Sequence, residues 1–184
     1  MNPQTLKQKV VATHGSLYIR ALLDGVLVGN AFAVCYEHEG RSICWITQLV
    51  VSSSYRNRGI AKLLLSRIHQ SSPSTETKYG ILSTHPFAVC AFLRVFGQGI
   101  EEFDRTEKRD CEVMESCPVG YVAEAKLGGG EEKVCLADTK FWVDHGEPMA
   151  ALARLRKGGV EWPLGELPDG CEFLAIVSAT ESLA

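Results

Sequence analysis

The stretch Ser42–Gln70, SICWITQLVVSSSYRNRGIAKLLLSRIHQ, decides the fold. Its first part, Ser42–Val51, is rich in β-branched and aromatic residues and apolar on both faces, which is typical of a central strand covered on both sides. Its last part, Ile60–His69, carries apolar residues at the spacing of one helix face. The polar turn between them contains Gly59. Because the first N–H groups of a helix are unpaired and its dipole favours anions there, we expect a phosphate cradle at this junction.

Two further strands precede the central one. Leu17–Leu23 and Val26–Tyr36 are apolar runs separated by Asp24–Gly25, which is a hairpin signal, and the turn at 37–41 leads into Ser42. The first third of the chain is therefore predicted to be an antiparallel meander. Residues 1–15 are polar and predict at most one helical turn.

A second strand and helix follow the central unit. Residues 71–78 contain Pro73 and form a breaker segment, Tyr79–Thr84 reads as a short strand, and Phe87–Phe96 as an apolar helix that ends at Gly97. A strand–helix–strand unit after a meander predicts the α+β class, with a mixed, mostly antiparallel central sheet and helices on both faces.

The remainder of the chain gives weaker signals. The mixed charge run at 101–110 predicts a solvated surface segment, and the glycines at 128–130 a flexible loop. Val134–Val143 and Cys171–Val177 are strand candidates that we expect to pair, and Pro148–Arg156 is a short helix candidate. We predict one domain over 1–184, with a cofactor-binding core at 17–97 and a C-terminal part at 98–184 that adds the late strands and acceptor-side elements.

Composition narrows the functional classes. The 184 residues are 46% hydrophobic and 22% charged, which is typical of one globular domain, and the net charge of −3 argues against a nucleic-acid partner. We find no apolar run long enough to span a bilayer and no signal-peptide core, so we expect no membrane partner. The seven cysteines form no CxxC pair and no zinc spacing, which predicts a reducing, cytoplasmic location without disulfides or a metal site.

The segment Leu49–Ala61, LVVSSSYRNRGIA, resembles the acetyl-coenzyme A motif of the GNAT superfamily of N-acetyltransferases, Gln/Arg-x-x-Gly-x-Gly/Ala at a strand–helix junction. The order of strands and helices around it is similar as well. The resemblance implies the GNAT fold and transfer of an acetyl group from acetyl-CoA, as co-substrate, to a primary amine of a small molecule or peptide. The acceptor itself stays open among amino acids, polyamines, peptides, lysine side chains and antibiotics.

The resemblance also implies which residues bind the cofactor. In the family the central strand splays from its neighbour, and the backbone of its end pairs with the pantetheine arm and polarises the thioester. The small side chains after it let the backbone approach the pyrophosphate, and arginines add charge. The residues that correspond here are Leu49, Val50, Val51, Arg56, Asn57, Arg58, Gly59, Ile60 and Ala61.

The chain departs from the family at its catalytic positions. The tyrosine that protonates the leaving thiolate corresponds to Leu93, which cannot donate a proton, and the family's asparagine falls near Pro86. His85, at the end of a strand beside the expected cleft, is the candidate catalytic residue because its pKa lies near neutrality. The alternative is that His85 only caps the strand. Cys90 is a weaker candidate for contact with the thiol, since core packing explains it better.

Other polar residues are candidates for the acceptor side. Thr47 and Gln48 belong to the central strand, and Asp144–His145 either lines the acceptor pocket or forms a turn. The family's usual elements before the meander have no counterpart in the short segment 1–16. The alternative function is therefore a non-catalytic CoA-binding or protein-interaction module on the same fold, and an exposed sheet edge makes a homodimer possible.

Overall fold

The computed structural model describes residues 15–72 and 77–178. The predicted N-terminal turn before Gly15 and the breaker at Pro73 lie outside the described residues. The strands are β1 (Ser16–Leu23), β2 (Val26–His38), β3 (Arg41–Val51), β4 (Lys78–Ser83), β5 (Thr106–Glu107), β6 (Lys126–Gly128), β7 (Lys133–Val134), β8 (Leu136–Asp138) and β9 (Cys171–Ser178). The α-helices are α1 (Ile60–Ser71), α2 (Pro86–Phe96), α3 (Gly120–Ala123) and α4 (Gly146–Lys157), and 3-10 turns span Ser53–Tyr55 and Lys108–Met114.

Seven strands form one mixed sheet. Their order is β1-β2-β3-β4-β9-β8-β6, and every neighbouring pair is antiparallel except β3 and β4, which run parallel. The short strands β5 and β7 form a separate two-stranded sheet. This arrangement confirms the predicted α+β class and the predicted pairing of the two late strands.

One face of the sheet is covered by α1, α2 and α4. The apolar stripe of α1 is buried as its spacing predicts, through Leu64, Leu65 and Ile68. Helix α2 is apolar almost all round, which suits its position between the sheet and its neighbours α1 and α4. Together these helices and the sheet bury the larger of two hydrophobic clusters.

The other face is covered by the segment from the second 3-10 turn to α3. Its buried residues Cys111, Val113 and Val122 pack with Trp45 of β3 on this face. The prediction that 101–110 is only a solvated segment is wrong in part. Its charged residues lie at the surface, but Thr106 is buried and its Oγ1 accepts a hydrogen bond from the Ile176 N–H at 3.0 Å.

Two late boundaries differ from the prediction. Val134–Val143 is not one strand, because Lys140 takes a positive φ of 56° and its N–H binds Asp138 Oδ1 in a turn that ends β8. Helix α4 starts two residues before Pro148, because Asp144 Oδ1 accepts the Gly146 N–H at 2.8 Å and supports the earlier turn. The glycine segment is not wholly a loop either, since Gly128 ends β6.

Within residues 15–72 and 77–178, no helix has the length and apolar character needed to cross a bilayer. All seven cysteines are free thiols. The same residues hold no group of three or more potential metal ligands, and the prediction that the site needs no metal stays a prediction.

Candidate functional site

A gap opens in the middle of the sheet. The parallel ladder between β3 and β4 runs only from Ile43↔Lys78 to Ile46↔Ile81, although both strands continue. The register of β2 against β3 shifts at Thr47, so that this residue forms a bulge. Because a bulge bends its strand, the end of β3 turns away from β4 just after the last shared pair. The splay that the family resemblance implies is thus present in the strand pairing.

The end of β3 keeps one partner strand. Leu49, Val50 and Val51 remain in register with β2, and in the part of the chain that the structure describes they have no ladder partner on the β4 side. Their backbone therefore borders the gap. Val50 is exposed, with 44% of its surface accessible, whereas the buried Ile46 lies before the bulge. These are the three residues that the sequence assigns to the pantetheine arm.

The predicted phosphate cradle comes directly after β3 in the chain. After the 3-10 turn, Asn57 and Gly59 take positive φ angles of 61° and 76°, and α1 begins at Ile60. Gly59 is the N-cap, without a side chain to bind the first N–H groups, and the first turn contains no acidic residue. A Cβ added at Gly59 would meet no atom within 4 Å, so the space before the helix is open. This geometry leaves the positive end of α1 accessible to an anion.

The two arginines of the cradle differ in their contacts. The Nε–H of Arg56 donates to the Val51 carbonyl at 3.3 Å, and its Nη1 forms an ion pair with Glu147 Oε1 of α4. The Arg56 guanidinium holds the pKa of Glu147 below its usual range. Arg58 lies over the Tyr55 ring instead, at 5.2 Å from its centroid. A carboxylate therefore already occupies the position beside Arg56 where a phosphate is expected.

His85 stands next to this ion pair. It is the half-buried N-cap of α2, its backbone N–H donates to Ser83 Oγ at 3.1 Å, and its Nε2 lies 3.9 Å from Glu147 Oε1. Burial lowers the pKa of His85, the charge of Glu147 opposes this shift, and nearby Arg56 adds to the lowering. Its ring is therefore neutral near pH 7 and able to accept a proton. Both readings of His85, as a cap and as a polar site residue, are compatible with this position.

The other predicted candidates are less suited to chemistry. Leu93, at the position of the family's tyrosine, is fully buried in the larger core and contributes to packing there. Burial raises the pKa of the Cys90 thiol to about 11, which keeps it protonated. Asp144 caps the first turn of α4, and His145 Nδ1 lies 3.8 Å from Asp169 Oδ1. These contacts favour the interpretation of the Asp144–His145 pair as a turn.

Sequence reasoning missed a polar cluster on the other side of the gap. The Tyr121 hydroxyl of α3 donates to the carbonyl of Thr47, the bulge residue, at 3.3 Å. Glu172 of β9 is only 8% exposed, and its Oε2 accepts a hydrogen bond from Thr139 Oγ1 at 2.9 Å. Burial raises the pKa of Glu172, and the Thr139 hydrogen bond opposes the rise. The available signal was the single charged residue inside the apolar run Cys171–Val177.

Exposed apolar side chains lie close to the start of β9. Phe141 and Trp142 are 51% and 73% exposed, and the Phe141 N–H donates to the Gly170 carbonyl at 3.3 Å. Since Gly170 precedes β9, this loop lies at the same end of β9 as Glu172. A separate shallow cavity of about 240 Å³ lies at the far end of α2, between Phe103 and Val177, and is not part of this site.

Residues 2–85 match the model of the acetyltransferase (GNAT) family. The matched segment is 84 of the 184 residues, a little under half of the chain. The match includes β3, the cradle and His85, and it confirms the resemblance predicted from the acetyl-coenzyme A motif. Residues after His85, including Tyr121, Glu147 and Glu172, lie outside the matched range. Among curated proteins, none matches this chain.

Three solved structures are similar to parts of the chain. Two are of an aminoglycoside acetyltransferase from an uncultured soil metagenomic sample. The complex with trehalose is 20% identical, with a TM-score of 0.34, and the match covers 39% of this chain and 47% of that one. The complex with sisomicin is 22% identical, with a TM-score of 0.34, and the match covers 39% of this chain and 48% of that one. The third is a ribosomal-protein-alanine N-acetyltransferase from Brucella melitensis biovar Abortus 2308. It is 22% identical, with a TM-score of 0.31, and the match covers 34% of this chain and 46% of that one. The chain thus matches about half the length of each of these structures.

Proposed function

We propose that this GNAT protein transfers the acetyl group of acetyl-CoA to a primary amine of a small molecule or peptide. The observation that carries the proposal is the early end of the β3–β4 ladder beside the uncapped start of α1, within the segment that matches the family. A gap beside a helix start suits a ligand with an extended arm and a diphosphate. Acetyl-CoA has both.

The donor would bind mainly through backbone groups. The pantetheine arm would lie along Leu49–Val51, in the gap, and the pyrophosphate would meet the N–H groups that follow Asn57, at the start of α1. One N–H at the end of β3 would donate to the thioester oxygen, where negative charge develops as the amine attacks. Arg58 and, after release from Glu147, Arg56 would add positive charge. No metal ion is required for this chemistry.

The acceptor would approach from the side of the C-terminal segment. The neutral amine nitrogen would form a bond to the carbonyl carbon, and the carbon–sulfur bond would then break to release coenzyme A. The exposed aromatic residues Phe141 and Trp142 suit an amine with a carbon skeleton, because a cation is attracted to aromatic faces. A cytoplasmic location, and a homodimer through the outer strand β1, remain parts of this proposal that oligomer mass and cell fractionation would test.

Calorimetry tests the donor half of the proposal. We expect coenzyme A to bind in the micromolar range, and an absence of binding would contradict the proposed function. The acceptor half needs a transfer assay with acetyl-CoA, in which released thiol and acetylated product are both measured. The panel should contain an aminoglycoside, a polyamine, a peptide with a free N-terminus and a peptide with an internal lysine.

A second function follows if coenzyme A binds and no amine is acetylated. The chain would then be a CoA-binding or protein-interaction module, which the buried Leu93 at the family's acid position favours. Binding of coenzyme A with equal affinity in the presence and absence of every amine would support this second function.

A further inference from the structure

The charge on Glu172 has no cationic partner among the described residues, and this is unusual for a buried carboxylate. Its only hydrogen bond there comes from Thr139, to Oε2. The strand opposite presents Ala137, and β4 ends one register step away with Ser83. The titratable group that faces it is Tyr121 of α3, whose pKa is raised first by burial and then by the Glu172 charge. Burying a carboxylate without a cation is costly, so such groups mark candidate functional sites.

The strand register places Glu172 at the open end of the gap. Because β9 runs antiparallel to β4, with Phe173 opposite Ser83, Glu172 lies just beyond the last residue of β4. Leu174 and Leu82 are opposite each other in the second core, and side chains alternate along a strand, so Glu172 points to the same face as they do. This is the face opposite α1 and α2.

Tyr121 links this carboxylate to β3. Its hydroxyl donates to the carbonyl of Thr47, the residue at which β3 bends away from β4, and the charge of Glu172 helps to raise the pKa of this hydroxyl. Glu172, Tyr121 and the bulge therefore lie on one side of the gap, while His85 and Glu147 lie beside the cradle. An amine that approaches the thioester from the side opposite α1 would meet Glu172.

We propose that Glu172 is the catalytic residue that binds the acceptor ammonium and removes its proton. This inference rests on the proposed acetyltransferase function. One proton of the ammonium passes to the Glu172 carboxylate, and the freed nitrogen lone pair forms the bond to the thioester carbon. The carbon–sulfur bond then breaks, the thiolate takes a second proton from the same nitrogen, and Glu172 returns its proton to solvent. The leaving thiolate thus needs no tyrosine at position 93.

The pH dependence of transfer tests the assignment. General-base catalysis typically contributes about 10²- to 10⁴-fold, so Glu172→Gln should lower kcat/KM for the best amine by about 100-fold or more. It should also remove the acidic limb of the pH profile, while the Kd of coenzyme A stays within about twofold, since the donor residues are untouched. The matched control is Glu124→Gln, an exposed glutamate just after α3 that should leave kcat/KM and the profile unchanged.

A second variant separates catalysis from structure. Thr139→Val removes the hydrogen bond that lowers the pKa of Glu172, so the acidic limb should move to higher pH while the plateau changes little. An acidic limb that is unchanged in Glu172→Gln, or unmoved in Thr139→Val, would overturn the assignment while the transfer activity stands. A wild-type chain that acetylates no amine would instead overturn the proposed function, and the assignment with it.

Discussion

The proposed donor side and the proposed acceptor side of this site are built in different ways. The donor side is a continuous segment, from the bulge at Thr47 to the first turn of α1, and it would act through backbone N–H groups. The proposed acceptor side is assembled from side chains far apart in sequence, Tyr121 and Glu172, on α3 and β9. A backbone site needs only strand, turn and helix to form, whereas a side-chain site needs particular residues in register.

This difference determines how easily each side is recognised from a sequence. A backbone cradle tolerates many side chains as long as Gly59 keeps its positive φ, so a short motif is enough to identify it. On the acceptor side each group depends on the packing of a separate short element. The family match, which ends at His85, covers the first kind of site and stops before the second.

The largest effect on the donor side should come from Gly59→Leu. A leucine would fill the open space before α1 and keep the diphosphate from its N–H groups, so we expect at least about tenfold weaker binding of coenzyme A, or about 1.4 kcal/mol. Isothermal titration calorimetry measures it. The matched control is Gly40→Leu, in the turn between β2 and β3, because Gly40 has φ 74° and equally open surroundings.

Both leucine variants place a side chain in the left-handed region, which costs about 1–2 kcal/mol of stability in each. Melting curves should therefore show similar losses for the two. Equal coenzyme A affinity of the two variants would show that the start of α1 is not the diphosphate site, and it would remove the distinction between a backbone donor side and a side-chain acceptor side.

The sequence predicted β3, the turn and α1 well because local rules determine them. A run that is apolar on both faces indicated β3, helical apolar spacing indicated α1, and Gly59 marked the turn between them. The early end of the β3–β4 ladder was expected only through the family resemblance. The bulge at Thr47 that accompanies it depends on which β2 residue faces which β3 residue, and no residue pattern shows that register.

The contacts between distant segments were largely beyond prediction from sequence. Glu147 was placed just before a helix that in fact begins at Gly146, and its pairing with Arg56 crosses 91 positions of the chain. Glu172 stood out only as a charge in an apolar strand. Its importance comes from burial against elements of 108–125, whose short 3-10 and α-helical turns have too little periodicity to be recognised.

The pH dependence of the melting temperature tests the environment of Glu172 independently of catalysis. Because burial raises the folded-state pKa of Glu172 above its unfolded value, the stabilising protonated form is fully present below the unfolded pKa and is lost as pH rises through the folded pKa. Glu172→Gln keeps a neutral side chain and an oxygen for Thr139 to bind. We therefore expect it to melt above wild type at pH 8, by about 2–4 °C if the unpaired charge costs about 1 kcal/mol.

The same variant should melt close to wild type at pH 4, where both side chains are neutral. Glu124→Gln, whose side chain is exposed, should show no such pH-dependent difference. If Glu172→Gln melted below wild type at pH 8, the carboxylate would have a cationic partner in solution and would not be available to an acceptor ammonium.

The smallest effect should come from the contact between the cradle and α4. Glu147→Gln removes the charge that neutralises Arg56, so this guanidinium is left to attract the diphosphate. Exposed ion pairs are worth about 0–1 kcal/mol, so we expect coenzyme A to bind up to about fivefold more tightly, with the gain shrinking as salt is added. The same change should lower the pKa of His85, since the Glu147 charge raises it, and an NMR titration of the imidazole would detect this.

The control for this variant is Glu166→Gln, because Glu166 forms an exposed ion pair with Arg156, Nη2 to Oε1 at 2.9 Å, in a different part of the molecule. It should leave both the affinity for coenzyme A and the His85 titration unchanged. Weaker binding in Glu147→Gln would mean that α4 must stay docked on the cradle for the donor to bind. The donor side would then depend on a distant side chain as much as the acceptor side does, because Glu147 would hold the cradle in shape and not compete for it.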